Sequence, residues 1–329
     1  MLLTPGSPDE TITIIIVIRD RFSTTKKCLE IIIENTPEPC RIIAVFGGVP
    51  GKIRADLTNR FLGKVEFIFE DRFLNPSESR NIGLKACKTR MAAIVENDVY
   101  VTKNWLKPLL RCFHETHSSM VVPLVLHMDN TIHAAGTSLF ITHKDGKAYG
   151  QKEIRYYDLT VYAGTNLKRE PVDYGELHCQ LVDVDTALRL SVYDEKLLEA
   201  AEVDSGLTWV KAGCGMWFEP GSSVAYDFPD KISAIEDIKP FIFKWDMRQI
   251  KKSYDYFNKK WSIDITECGR WKLFNLYLNN KLGFFSRYLP SKLSLMVDNF
   301  LYRMRKLCKS PLVPWRALKA WLCGYFEWK

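Results

Sequence analysis

Apolar and polar positions follow each other in short blocks through the first hundred residues. Thr11 to Ile18 is an unbroken, mostly β-branched run that stops at Arg19-Asp20-Arg21, the pattern of a strand buried on both faces. Ser23 and Thr24 then offer caps for a helix through about Asn35, with Cys28, Leu29, Ile32 and Ile33 facing inward. Arg41 to Phe46 predicts a second strand closed by Gly47-Gly48, Arg54 to Phe61 a helix, and Val65 to Phe69 a third strand. A helix beginning near Ser77 follows, with Ile82, Leu84, Ala86 and Cys87 on its apolar face. Met91 to Val95 is a fourth strand, ending abruptly in Glu96-Asn97-Asp98, and another helix follows Trp105. Strands separated by helices predict a largely parallel sheet covered on both faces. Ligands of such sheets bind at the C-terminal strand ends, which here bring together Asp20, Gly47 and Asp98.

From Ser119 onward the strands shorten, with candidates in MVVPLVL and IHAAGTSLFI. Gln151 to Glu176 is polar and tyrosine-rich and reads as a surface loop or flap. Val182 to Leu190 is apolar again, and Asp194 to Gly213 carries a second group of acids.

The acidic strand end holds the chain's most telling chemistry. Carboxylates there cost desolvation energy unless a positive group meets them. A divalent cation takes oxygen ligands and bridges to phosphates, which makes Glu96 and Asp98 candidate metal ligands. Arg80 has the planar fork that suits phosphate. Acids, arginine and strand end together point to a nucleotide diphosphate. His133 reads as a packed strand residue rather than a ligand. No Walker loop, G-x-G-x-x-G, G-x-S-x-G or H-E-x-x-H occurs.

Charge divides the chain. The net charge is +7 overall, yet residues 242–329 carry 18 Lys and Arg against 6 Asp and Glu, a net of +12 that leaves −5 for the first 241. Six of the nine tryptophans also lie in 242–329. Two domains are therefore expected, a mildly acidic body at 1–241 and a basic, helical region at 242–329. Within the latter, Leu293, Met296, Val297, Phe300, Leu301, Met304 and Leu307 share one helical face, and Trp315, Leu318, Trp321, Leu322 and Tyr325 another. Basic, Trp-rich amphipathic helices suit an anionic membrane surface; packing on the body or on a second copy is the alternative, and nucleic acid is not expected. No run reaches the ~18–20 apolar residues of a membrane span, and the opening MLLTPGSPDE is polar and acidic. The expected location is cytoplasmic, peripheral on the inner face of the plasma membrane. Nine scattered cysteines without C-x-x-C spacing predict free thiols and no structural zinc.

The motifs, in their order and spacing, resemble family 2 glycosyltransferases from about Ile12 to Trp261. The residues that carry the resemblance are Asp20-Arg21 after the first strand, Ser79-Arg80-Asn81-Ile82-Gly83, Glu96-Asn97-Asp98 in place of D-x-D, Trp105-Leu106, His133-Ala134-Ala135-Gly136, and Ala201-Glu202-Val203-Asp204…Ala212-Gly213 in place of E-D-x-D-L…A-G. The resemblance implies an α/β, GT-A-type, Rossmann-like mixed sheet flanked by helices, and inverting transfer of a sugar from a nucleotide-sugar donor to a glycan or lipid-linked acceptor. It places Mg2+ or Mn2+ on Glu96 and Asp98, the donor against Asp20, Arg21, Arg80, Asn81 and Asn97, and the catalytic base at Glu202 or Asp204. The chain departs from the family at Glu96, at Gly47-Gly48 where relatives carry an acid, in A-E-V-D, and near Tyr226 where many relatives carry a histidine. These departures keep a non-catalytic nucleotide-sugar-binding protein as the competing expectation.

Overall fold

The computed structural model describes residues 11–265 apart from 38, 162–165, 229–233 and 245. The described residues begin with β1 (Ile12–Val17), α1 (Thr25–Asn35), β2 (Cys40–Gly47), α2 (Gly51–Arg60), β3 (Glu66–Glu70), α3 (Pro76–Ala86) and β4 (Met91–Glu96). It continues with β5 (Val99–Val101), α4 (Leu106–Thr116), β6 (Met120–His127), β7 (Ile132–Ala134), β8 (Thr137–Lys144), β9 (Lys147–Ile154), β10 (Glu170–Pro171) and β11 (Cys179–Asp183). Then come α5 (Val184–Leu190), α6 (Ala201–Lys211), β12 (Met216–Tyr226), α7 (Ile238–Lys244), α8 (Met247–Trp261) and β13 (Ile263–Asp264).

The main sheet runs β10-β12-β6-β11-β4-β1-β2-β3, with β5 on β12 and β7 on β6. The first four strands pair in parallel, as the block pattern predicts. The sheet as a whole is mixed, because β11 inserts antiparallel between β4 and β6. That insertion decides where the chemistry gathers. The C-terminal ends of β1, β4, β6 and β12 share one edge with the N-terminal start of β11. A separate small sheet, β13-β9-β8, reaches only the first four residues of the segment expected to be a flap, through the end of β9.

Local chemistry explains the element that carries Arg80. Asn75 accepts from the Glu78 N–H at 2.9 Å while Glu78 accepts from the Asn75 N–H at 2.7 Å, a capping box with Pro76 at the first helical position. A Cβ on Gly83 would lie 2.3 Å from Ile15 Cγ2. Glycine there lets α3 press directly onto β1, so Arg80 enters the sheet edge from beneath. The faces of β1 and β4 are wholly buried, one under α1 and α4 residues such as Leu29 and Leu109, the other under Leu84 and Trp209.

The domain boundary expected after residue 241 falls inside α7. Helices α7 and α8 belong to the same compact unit as the sheet. Ser253 Oγ accepts the Leu198 N–H at 2.9 Å, and the Lys244 ammonium donates to Leu198 O at 2.8 Å. The basic segments 292–307 and 315–328 lie outside the described residues. Among the described residues, no helix is long and apolar enough to cross a membrane.

Candidate active site

Strand register assembles the site. Cys179 stands opposite Val95, so His178 falls beside Glu96, whose N–H donates to His178 O at 3.0 Å. Parallel pairing of β1 with β4 sets Val17 opposite Glu96, which carries Arg19, Asp20 and Arg21 to the same rim. Tyr226 arrives from the end of β12, and its ring stacks on His178 with centroids 4.1 Å apart.

The two acids of the strand end differ sharply. Glu96 is fully engaged: Oε1 accepts from Arg80 at 2.7 Å, and Oε2 meets His178 Nδ1 at 2.9 Å and Arg19 at 3.6 Å. Burial opposes its ionisation, but Arg19, His178 and Arg80 outweigh burial and hold this carboxyl well below the usual range. Asp98 is fully buried, and neither of its oxygens has a hydrogen-bond partner. The closest cation to it is Arg21 Nη2 at 3.7 Å. Burial pushes Asp98 up to about 8; Glu96 and Asp20 add to the rise, while Arg19 and Arg21 oppose it. A buried carboxylate with unused lone pairs, within 4.8 Å of ligand atoms on Glu96 and His178, fits a divalent cation.

Three of the expected donor contacts occupy other positions. Asn97 is completely buried and tied to the loop after β1: its amide donates to Arg21 O and to Thr25 Oγ1 at 2.8 Å, and its carbonyl accepts the Arg19 N–H at 3.1 Å. It shapes the loop rather than facing the cleft. Arg80, also completely buried, donates to Glu96 and to Leu177 O at 3.1 Å. The structure makes it a brace behind Glu96, because the helix that carries it is pressed under the sheet. Asn81 donates to Tyr193 O and Glu195 Oε1, both at 2.9 Å, away from the acidic rim. Asp20 and Arg21 do lie at the rim, where Arg21 sits 3.5 Å from Asp20 and bonds Asp227 O.

The two candidate bases also separate. Glu202 lies in the first turn of α6 and pairs with Lys152 of β9 at 2.5 Å. Burial opposes its charge, yet Lys152 outweighs burial and keeps it ionised. Asp204 is buried against α8, accepting from Trp261 Nε1 at 2.7 Å and pairing with Lys260 at 2.8 Å. Asp204 therefore serves as a tether for α8. Glu176 stands between the two groups of acids. Burial and the charge of Glu202 push it up to about 7, and its Oε2 is 3.9 Å from His178 Nε2.

Comparison with known proteins places this geometry. The profile described as Glycosyl transferase family 2 matches residues 13–168. Over residues 13–168 the chain is thus similar to glycosyltransferase family 2. The chain is also similar to a pre-mycofactocin glycosyltransferase from two strains of Mycobacterium tuberculosis, 22% identical over 232 residues, which are 68% of this chain and 44% of the relative. The chain thus spans less than half the length of these curated relatives. Among solved structures, the crystal structure of GalNAc-T7 with UDP, GalNAc and Mn2+ superposes with a TM-score of 0.53 at 16% identity, covering 77% of this chain and 51% of that one. The fold is of the GT-A type.

Within this family 2 framework, two departures gain physical reasons. Gly47 cannot carry a side chain, because a Cβ would sit 2.6 Å from Arg72 O and Leu74 N. The 72–74 segment fills the space that side chains at 47 and 48 would need. Near Tyr226, where the resemblance implies a histidine, the ring of His178 from just before β11 stacks on the tyrosine. Arg19, Glu176 and His178 were not singled out in the sequence. For Glu176 and His178 the signal was the Glu176-Leu177-His178 step into the Cys179–Asp183 strand, hidden because the preceding residues read as a polar loop.

Proposed function

We propose that the chain transfers a sugar from a nucleotide-diphosphate donor to a hydroxyl acceptor, with inversion at the anomeric carbon. The buried Asp98 carboxylate at the end of β4, with no hydrogen-bond partner on either oxygen, is the observation that carries this. Asp98 would hold Mg2+ or Mn2+, with Glu96 and His178 beside it. The bound cation supplies Lewis-acid stabilisation of the leaving diphosphate. Asp20 and Arg21 line the donor side. Arg80 and Arg19 keep Glu96 ionised and fixed, and Asn97 fixes the loop that presents Arg21. Glu202, ionised by Lys152, takes the proton of the attacking hydroxyl. The GalNAc-T7 structure, with its UDP and Mn2+, supports the donor and cation classes.

The acceptor we propose is a glycan or lipid-linked glycan, with residues 292–329 holding the enzyme on the cytoplasmic face of an anionic membrane. Loss of vesicle sedimentation on deleting 292–329 supports the membrane half; undiminished sedimentation rejects it.

The test of transfer is release of nucleoside diphosphate from a panel of UDP-, GDP- and dTDP-sugars with Mn2+. One donor should turn over, and Glu202→Gln should abolish turnover while keeping nucleotide binding. Binding without turnover of any donor, with or without added acceptor glycans, favours the non-catalytic alternative.

A further inference from the structure

Three side chains, of which only His178 also borders the Asp98 position, converge on one point. His133 Nε2 and His178 Nε2 face each other at 3.1 Å, and Glu176 Oε2 lies 3.9 Å from His178 Nε2. All three ligand atoms fall within 4.8 Å of one another. We propose that His133, His178 and Glu176 form a second divalent-cation site, one that takes a nitrogen-seeking ion such as Zn2+ or Co2+.

Spacing is the first support. Metal–nitrogen bonds of about 2.0–2.1 Å at tetrahedral angles set neighbouring ligand atoms about 3.4 Å apart. The 3.1 and 3.9 Å separations bracket that value. The outer partners are the second support. A metal-ligating imidazole characteristically has its other nitrogen held by a carboxylate or another polar group. His178 Nδ1 meets Glu96 Oε2 at 2.9 Å, and His133 Nδ1 meets His127 Nε2 at 3.4 Å. Both inward nitrogens are thereby aimed at Glu176.

Ring packing fixes that aim. Tyr226 stacks on His178 and meets His133 edge-on with centroids 5.0 Å apart, while Tyr157 meets His133 at 5.9 Å. His133 and Glu176 are only half-buried, which leaves a way in for the ion. The donor set is two imidazoles and one carboxylate, which suits zinc and its neighbours better than the all-oxygen preference of Mg2+. This site uses Nε2 of His178, whereas Nδ1 faces Glu96 Oε2 at 2.9 Å. Glu96 then acts as the outer carboxylate of one site while standing beside the other. His133, read in the sequence as a packed strand residue, becomes a ligand.

The test is Co2+ titration of the chelator-treated full chain without nucleotide, read by visible ligand-field absorption and equilibrium dialysis. Wild type and Asp98→Asn should each bind an equivalent that shows these bands. His133→Gln and Glu176→Gln should each weaken that equivalent by at least about tenfold, with circular dichroism confirming their fold. Glu176 is half-exposed, so its variant carries the test if the strand substitution fails to fold. The site is refuted if wild type shows no nucleotide-independent Co2+ binding, or if either folded variant loses less than tenfold. It is also refuted if Asp98→Asn removes the same equivalent. The histidines would then be a hydrogen-bonded pair only. Because no donor is present, failure here leaves sugar transfer untouched.

Discussion

Replacing Asp98 by asparagine keeps its shape and removes its charge. In metal-free protein the Asp98 carboxyl is raised from 3.8 to about 8, chiefly by burial. A raised carboxyl stabilises the fold in its protonated form, fully so below the ordinary range. That contribution is lost as pH climbs from about 4 through about 8. At about 1.36 kcal/mol per unit, a rise of roughly four units sets a ceiling near 5–6 kcal/mol. Arg21 at 3.7 Å and water entering the cleft offset part of it, leaving about 1–3 kcal/mol. Thermal melts with chelator should therefore coincide for wild type and Asp98→Asn at pH 4, where the contribution is still nearly whole. At pH 9 the variant should melt higher, by roughly 3–8 °C. Adding Mn2+ at neutral pH should stabilise wild type and leave the variant unmoved, since only a state-specific ligand shifts the melt. A gap that is equal at both pH values, or Mn2+ stabilisation of both proteins alike, refutes the reasoning.

Other substitutions probe the supports. Gly83→Ala forces a Cβ into Ile15 and should cost about 1–3 kcal/mol, read as a lower denaturation midpoint. Arg80→Ala leaves Glu96 buried with one cation fewer and should cost about 3–5 kcal/mol, without the selective loss of phosphate affinity that a direct diphosphate contact would give. Asp204→Asn should loosen α8 and lower the melting temperature while retaining transfer, whereas Glu202→Gln should remove transfer with little change in melting; a steady-state assay beside a melt separates them.

Much of the fold was legible because its first half is built from local signals. The run Thr11 to Ile18, the glycine stop at Gly47-Gly48 and the acid stop after Val95 each mark a strand end, and β1, β2 and β4 lie within one residue of those expectations at each end. Strand β11 was less legible. Its antiparallel insertion depends on pairing with residues far away in sequence, and Cys179–Asp183 runs directly into α5 with no turn to announce it. The site followed the same division. Asp20, Glu96 and Asp98 were visible as polar residues closing apolar runs. Arg80 and Asn97 looked like ligand contacts because residue type does not reveal whether a side chain faces the cleft or the interior. His178 became visible only once strand register set it beside Glu96.

The most direct test of the central claim is a calorimetric titration of the full chain with UDP, GDP and dTDP, with and without Mn2+, repeated on Asp98→Asn. The account predicts that one nucleotide binds in the presence of the ion, that chelation weakens it at least about tenfold, and that Asp98→Asn abolishes the ion's contribution. Binding that ignores both Mn2+ and Asp98, or no binding of any of the three nucleotides, would contradict it.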